Sequence, residues 1–182
     1  AIVRVNNQAV WIFRGSRPNL SNEMASSSNQ EGYFLSPRSA RAGVLIGVGI
    51  MAAIDEIVFH QVLSWHHFYD GSTTEIGLLT DGLLHSAELI AIVSGFFWLL
   101  DLKRSRAWVS QNARAGFFLG LGGFQLFDGI VDHKILRLHQ IRYVENVLPY
   151  DIAWNAFGLI LLVIGLLLTH HSRKSVLQNE SI

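Results

Sequence analysis

The chain contains no cysteine. That excludes disulfides, thiolate-bound zinc, iron–sulfur clusters and covalently attached c-type haem. Any metal must be held by His, Asp, Glu or neutral oxygen and nitrogen donors. Charge is also scarce, at 15% of residues, where a soluble domain carries roughly 25%. Net charge is absent, with 14 basic residues against 14 acidic, so nothing favours a nucleic-acid partner. The start of the chain lacks a basic stretch followed by an apolar core, so no cleavable signal peptide is expected. Apolar residues dominate what is left: half of the 182 residues are hydrophobic and mean hydropathy is +0.31.

Four apolar segments, near 42–65, 77–100, 115–138 and 148–169, each approach the 20 or so residues that cross a bilayer as a helix. A soluble four-helix bundle would need a polar outer face on every helix. Residues 156–168, "AFGLILLVIGLLL", are apolar all round. The expected fold is therefore all-α, an integral membrane four-helix bundle. Residues 1–41 are expected as an N-terminal segment, partly flexible at "NLSNEMASSSNQ", and 170–182 as a tail. The opening "AIVRVNNQAVWIF" suits a short strand or an interfacial segment.

Orientation follows from Lys and Arg. The N-terminal segment holds five, residues 101–114 hold four and the tail holds two; the 66–77 loop has none. The remaining three, Lys134, Arg137 and Arg142, lie around the end of the third segment. Both termini are expected in the cytoplasm, with the His-rich ends facing outward.

The chain repeats itself. "GVLIGVGIMAAIDEIVFHQVLSWHH" from Gly43 aligns with "GFFLGLGGFQLFDGIVDHKILRLHQ" from Gly116. Gly43, Gly47, Gly49, Asp55, His60 and His66 fall on Gly116, Gly120, Gly122, Asp128, His133 and His139, always 73 residues apart. The second and fourth segments match at a spacing of 70: Asp81 with Asp151, His85 with Asn155, Gly95 with Gly165. Two transmembrane hairpins, 42–100 and 115–169, are expected, related by a pseudo-twofold axis along the membrane normal. The glycines also suit close helix packing.

Against this background the ionisable residues stand out. At 1.5 Å rise per residue, Asp55, Glu56, His60, Asp81, His85, Glu88, Asp128, Asp132, His133, Asp151 and Asn155 converge on one outer layer. On α-helices, Asp81, His85 and Glu88 share a face, as do Glu56 and His60, and Asp128 and Asp132. Asp55 and His60, five apart, point in different directions. Ordinary roles are open to several. Asp81 and Asp151 suit helix capping, His66, His67 and His139 suit solvated interface positions, and Lys134, Arg137 and Arg142 suit pairing with Asp132 and Glu145. His170 and His171, at the cytoplasmic end, have no expected role. Asp55, Glu56, His85, Glu88 and His133 together call for a functional site.

Histidine and carboxylate without sulfur suit copper, iron, zinc or manganese. The His85-x-x-Glu88 spacing has the ligands of metal-binding bundles, though reversed in order. The candidate ligands are His60, His85, Glu88, His133, Glu56, Asp55, Asp128, Asp132, His66, His139 and Asp81, with the Asp residues also able to orient imidazoles. Alternatives remain: a b-type haem between His60 and His133, a proton or ion pathway, or a structural subunit of a larger membrane complex.

The stretches "DEIVFHQVLSWHHF", "DGLLHSAE", "LFDGIVDHKILRLHQIR" and "YDIAWNAFGLILL" resemble a bacterial family of membrane proteins, domain of unknown function family number 2243, over about residues 42–169. The family pattern falls on Asp55, Glu56, His60, His66, His67, Asp81, His85, Glu88, Asp128, Asp132, His133, His139, Gln140, Arg142, Asp151 and Asn155. The resemblance implies four spans in a bacterial inner membrane and no established activity. Some members are encoded beside oxidase copper-assembly factors, which implies copper or iron redox work and a respiratory complex as partner, with a homo-oligomer as the alternative.

Overall fold

The computed structural model describes residues 2–5, 8–11 and 37–179. Strands β1 (Ile2–Val5) and β2 (Gln8–Trp11) form an antiparallel hairpin, Ile2 opposite Trp11 and Val5 opposite Gln8. The hairpin belongs to the first of two units in the chain. The Ser/Asn-rich stretch expected to be flexible lies outside the described residues.

The second unit is helical. Helix α1 runs Pro37–Asp55 and winds on as a π-helix over Glu56–Val62. Pro37 suits a first helical position, where its missing N–H costs nothing. Helix α2 is Thr74–Arg104. Helix α3 is Ser110–Phe127, followed by a second π-helix, Asp128–Leu136. Helix α4 is Leu148–Asn179, so it continues beyond residue 169, where the span was expected to end. α1 and α3 pack on each other at the centre; α2 packs on α1, and α4 on α3.

Among the described residues, three stretches, Arg38–Val62, Thr74–Arg104 and Leu148–Ser172, are long and apolar enough to cross a membrane. The expected third span is helical but does not reach that apolarity, because Gln125, Asp128, Asp132, His133 and Lys134 fall within it. It buries the most instead: Ala113, Ala115, Gly116, Gly120, Leu121, Gly122 and Gln125 all face neighbouring helices. Leu79, Leu83, Ile90, Phe97 and Leu167 stand more than half exposed. A soluble surface would rarely present so much contiguous apolar area, whereas hydrocarbon solvates it.

Glycine sets the helix spacing. A Cβ on Gly43 would collide with the Ala113 carbonyl oxygen, and one on Gly116 with that of Ala40. Gly47 meets the Phe117 carbonyl and Gly120 that of Val44. The contacts are reciprocal: from one pair to its counterpart the glycine moves on by 73 residues and its partner moves back by 73. Gly49 lies against Glu88 and Ile92 of α2, and Gly122 against Gly158 and Leu162 of α4. Where lipid is as apolar as the side chains, backbone approach of this kind drives association.

Replacing Gly47 by Leu should therefore destabilise the bundle by about 1–3 kcal/mol, read as a lower thermal midpoint in detergent. Gly123→Ala is the control, since nothing lies within 4 Å of a Cβ there. An equal response from both would remove the α1–α3 contact as the determinant of packing.

Candidate metal centre

The two π-helices deliver the polar residues. In a π-helix the hydrogen bond reaches the fifth residue, so side chains five apart come together. Gln61 Nε2 donates to Glu56 Oε1 at 2.8 Å, a pair five apart. Asp55 Oδ2 comes within 3.8 Å of His60 Nε2, and Asp128 Oδ2 within 3.2 Å of His133 Nε2. The expectation that Asp55 and His60 point in different directions assumed α-helical winding and is corrected here. The second π-helix ends at a left-handed residue, Arg137 (φ 55°), and a left-handed residue, Ser64 (φ 49°), follows the right-handed Leu63 cap of the first; each turns the chain back over the bundle.

That reversal buries two histidines expected at the solvated interface. His66 is 4% exposed and His139 is 2% exposed. His66 Nδ1 donates to the Ile141 carbonyl and His139 Nδ1 to the Phe68 carbonyl, each at 2.9 Å. The two bonds are reciprocal between the loops. Each fixes the imidazole with its Nδ1 protonated and its Nε2 left as the inward donor atom, the arrangement that metal-ligating histidines use.

Four imidazoles thus form one cluster. His66 and His139 stack at 4.5 Å between ring centroids, 9° from parallel. His60 lies edge-on to His66 at 4.5 Å, and His133 edge-on to His139 at 4.6 Å. His133 Nε2 and His139 Nε2 are 2.9 Å apart. Two lone pairs cannot face each other at that distance, so one of the two nitrogens carries a proton unless a cation bridges them. Nε2 of His60, Nε2 of His66 and Oδ1 of Asp55 are buried without hydrogen-bond partners. Each such atom costs about 1–3 kcal/mol unless something compensates it.

Among the described residues, donor atoms within 4.8 Å of one another define three groups: His60, His66 and His139; Asp128, His133 and His139; and Glu56, His60 and Asp81. These groups could hold a metal ion. His60 Nδ1 faces Glu56 at 2.8 Å and Asp81 at 3.1 Å. Asp81 also accepts from His67 Nδ1 at 2.6 Å and from the Phe68 backbone N–H at 2.7 Å. It sits well inside α2, which begins at Thr74, so the capping role is corrected.

Other sequence candidates fall outside these groups. His85 is half-exposed and pairs with buried Glu88 at 2.5 Å. Asp132 is buried, and its carbonyl accepts from Leu138. Lys134 pairs with Asp151 at 2.6 Å rather than with Asp132. Arg142 donates to Tyr150 Oη at 2.6 Å and lies over the Trp65 ring. Trp154, whose indole N–H donates to Asp128 Oδ2 at 3.0 Å, was not legible as a site residue. Its only sequence signal is the one Trp among the apolar residues of the fourth segment.

Burial, with His139, His60 and His133 alongside, pushes the His66 imidazole down to about 2. His139 is raised instead: burial opposes charge there, but the hydrogen bond and charge of Asp128 outweigh it. A site that draws in a proton at this point offers the same potential to a metal cation.

The family described as "Predicted membrane protein (DUF2243)" matches residues 42–172. No curated protein and no solved structure matches the chain.

In metal-free protein, nitrogen NMR of labelled histidine should find His66 neutral, with Nδ1 protonated, from about pH 8 to about pH 4. Protonation near the ordinary value of about 6.5 would contradict the buried geometry. The sign is fixed: below about 6.5 the unfolded chain takes up a proton that folded His66 refuses, so this group lowers stability as pH falls.

Proposed function

We propose that this chain, which belongs to the DUF2243 family of predicted membrane proteins, holds a transition-metal ion in a buried histidine–carboxylate centre at one end of its helix bundle. One observation carries the reading. The Nδ1 atoms of His66 and His139 are committed to carbonyls of each other's loop, which leaves their Nε2 atoms facing a buried cluster with His60 and His133.

His60, His66 and His139 are the first triad; Asp128 and His133 join through His139 as the second. Glu56, Asp81 and Asp55 orient His60 and supply negative charge against the cation. The nitrogen-rich set suits copper(II), zinc or iron. A bare ion fits better than a porphyrin. His66 and His139 pack against His60 and His133, in the space a macrocycle between those two would take. His85, Glu88 and Asp132 belong to the surroundings of the centre in this reading.

The chain is read as two related hairpins in a four-span bundle. Support comes from the reciprocal glycine contacts, the paired π-helices and the paired loop hydrogen bonds. The third span is accommodated because its polar residues face protein. Both termini are read as cytoplasmic and the metal centre as lying towards the outer face, a reading supported by the distribution of Lys and Arg. Copper or iron there would suit redox work, and zinc would not.

Elemental mass spectrometry of detergent-purified protein, with an optical spectrum, tests the centre. Near-stoichiometric metal is expected, falling at least tenfold in His66→Ala and His139→Ala but not in His85→Ala. A folded wild-type sample that takes up neither zinc nor copper on loading would sink the proposal. A Soret band would replace the bare ion by haem.

A further inference from the structure

A cavity of about 360 Å³ opens between α1 and α4. Its walls are aromatic: Phe59, Trp65, Tyr150, Trp154 and Phe157. Phe59 meets Trp154 edge-on at 4.7 Å and tilts against Trp65 at 5.3 Å. Arg142 steadies the wall, its guanidinium 4.7 Å from the Trp65 ring centre and bonded to the Tyr150 hydroxyl. At the rim, Ile54, Val58 and Phe157 are exposed. The rim lies on two helices apolar enough to cross a membrane, so the mouth opens towards hydrocarbon.

One side of this apolar space carries a carboxylate. Asp55 lines the cavity, is 2% exposed, and its Oδ1 has no hydrogen-bond partner. Comparison with Asp128, 73 residues on, shows what is missing. Asp128 receives the indole N–H of Trp154. The residue 70 positions before Trp154 is Leu84, which has no N–H to give. The chain supplies a donor to one aspartate and leaves the other open beside a cavity. Oδ2 of Asp55 is the atom turned towards His60, so Oδ1 is free of the metal reading, and the inference does not depend on a bound metal.

We propose that this cavity binds a membrane-dissolved aromatic alcohol of the phenol or quinol class. The ring lies among the aromatic walls and the hydroxyl donates to Asp55 Oδ1. The volume falls in the usual range for small-molecule sites, roughly 300–1,000 Å³. Aromatic walls favour a flat ring through edge and face contacts. A lipid acyl chain would satisfy the walls but leave the buried oxygen bare, at a cost that a hydroxyl removes. Gln125, also buried and lining the cavity, offers a second polar contact to a substituent on the ring.

The test titrates 4-bromophenol, with bromobenzene as the probe of like shape lacking the hydroxyl, into the full chain in lipid nanodiscs. Bromine quenches tryptophan, and Trp65 and Trp154 report directly. Saturable quenching by 4-bromophenol is expected, with half-saturation at least tenfold higher for bromobenzene. Ala153→Phe fills the cavity without touching a polar group and should abolish the saturable phase. Asp55→Leu should erase the preference for the phenol. Equal quenching by the two probes would mean an apolar cleft that lipid chains fill and would overturn the proposal. Non-saturable quenching, or full binding in Ala153→Phe, would overturn it as well. A folded Asp55→Leu variant that still prefers the phenol would overturn the role of Asp55; should that variant not fold, the probe comparison and Ala153→Phe decide.

Discussion

The backbone-to-backbone contact of α1 with α3 governs the rest of the helical unit. Gly43, Gly47, Gly116 and Gly120 let carbonyls of the opposite helix sit where a Cβ would otherwise be. Water supplies no hydrophobic drive inside a bilayer, so dispersion at close range has to hold helices together. The same glycines fix the register. With α1 and α3 locked in place, Asp55 and Asp128 reach equivalent heights, and the two π-helices emerge side by side. The outer helices follow the same rule, α2 seated at Gly49 and α4 at Gly122.

Change of helical winding at that height converts a packed pair of helices into a site. α-Helical winding would spread the carboxylates and imidazoles around each helix. π-Helical winding stacks residues five apart, which brings Asp55 to His60 and Asp128 to His133. π-Helical segments are rare and concentrate at functional positions. The loops then cross, each lending a carbonyl to the other's histidine. Burial of so many ionisable groups is tolerated because they face one another rather than lipid. Even so, Nε2 of His60 and Nε2 of His66 remain without partners, which is the imbalance a cation would correct.

In the proposed reading as two related hairpins, the halves differ where it matters chemically. In the first, His67 and Asp81 extend the network from His60 towards the surface. At the matching positions of the second stand Gln140 and Asp151, the latter held by Lys134. Glu56 is matched by Gly129, whose missing side chain admits Trp154 and Asn155. Trp154 then serves Asp128, while Leu84 leaves Asp55 open. One half is closed by its own side chains, and the other keeps acceptor atoms free beside an aromatic cavity.

Composition and hydropathy were enough to read a helical membrane chain with helices near the four expected segments, although the last runs on to Asn179. The absence of cysteine left histidine and carboxylate as the donor set, and the spacing of 73 paired the residues. These properties are local or periodic, so a one-dimensional reading captures them. Several features were not legible because they arise from backbone geometry. α-Helical periodicity set Asp55 apart from His60 and gave weight to His85 and Glu88. No pattern foretells a π-helix. Burial of His66 and His139 depends on two loops that touch 75 and 71 residues apart in sequence, and their Nδ1 partners are carbonyls that every residue possesses. Trp154 became part of the site because Gly129 made room for it. The sequence by itself chose the ligands' chemistry; only the tertiary structure decided which nitrogen atoms face one another, since that follows from helix winding and loop crossing rather than from residue type.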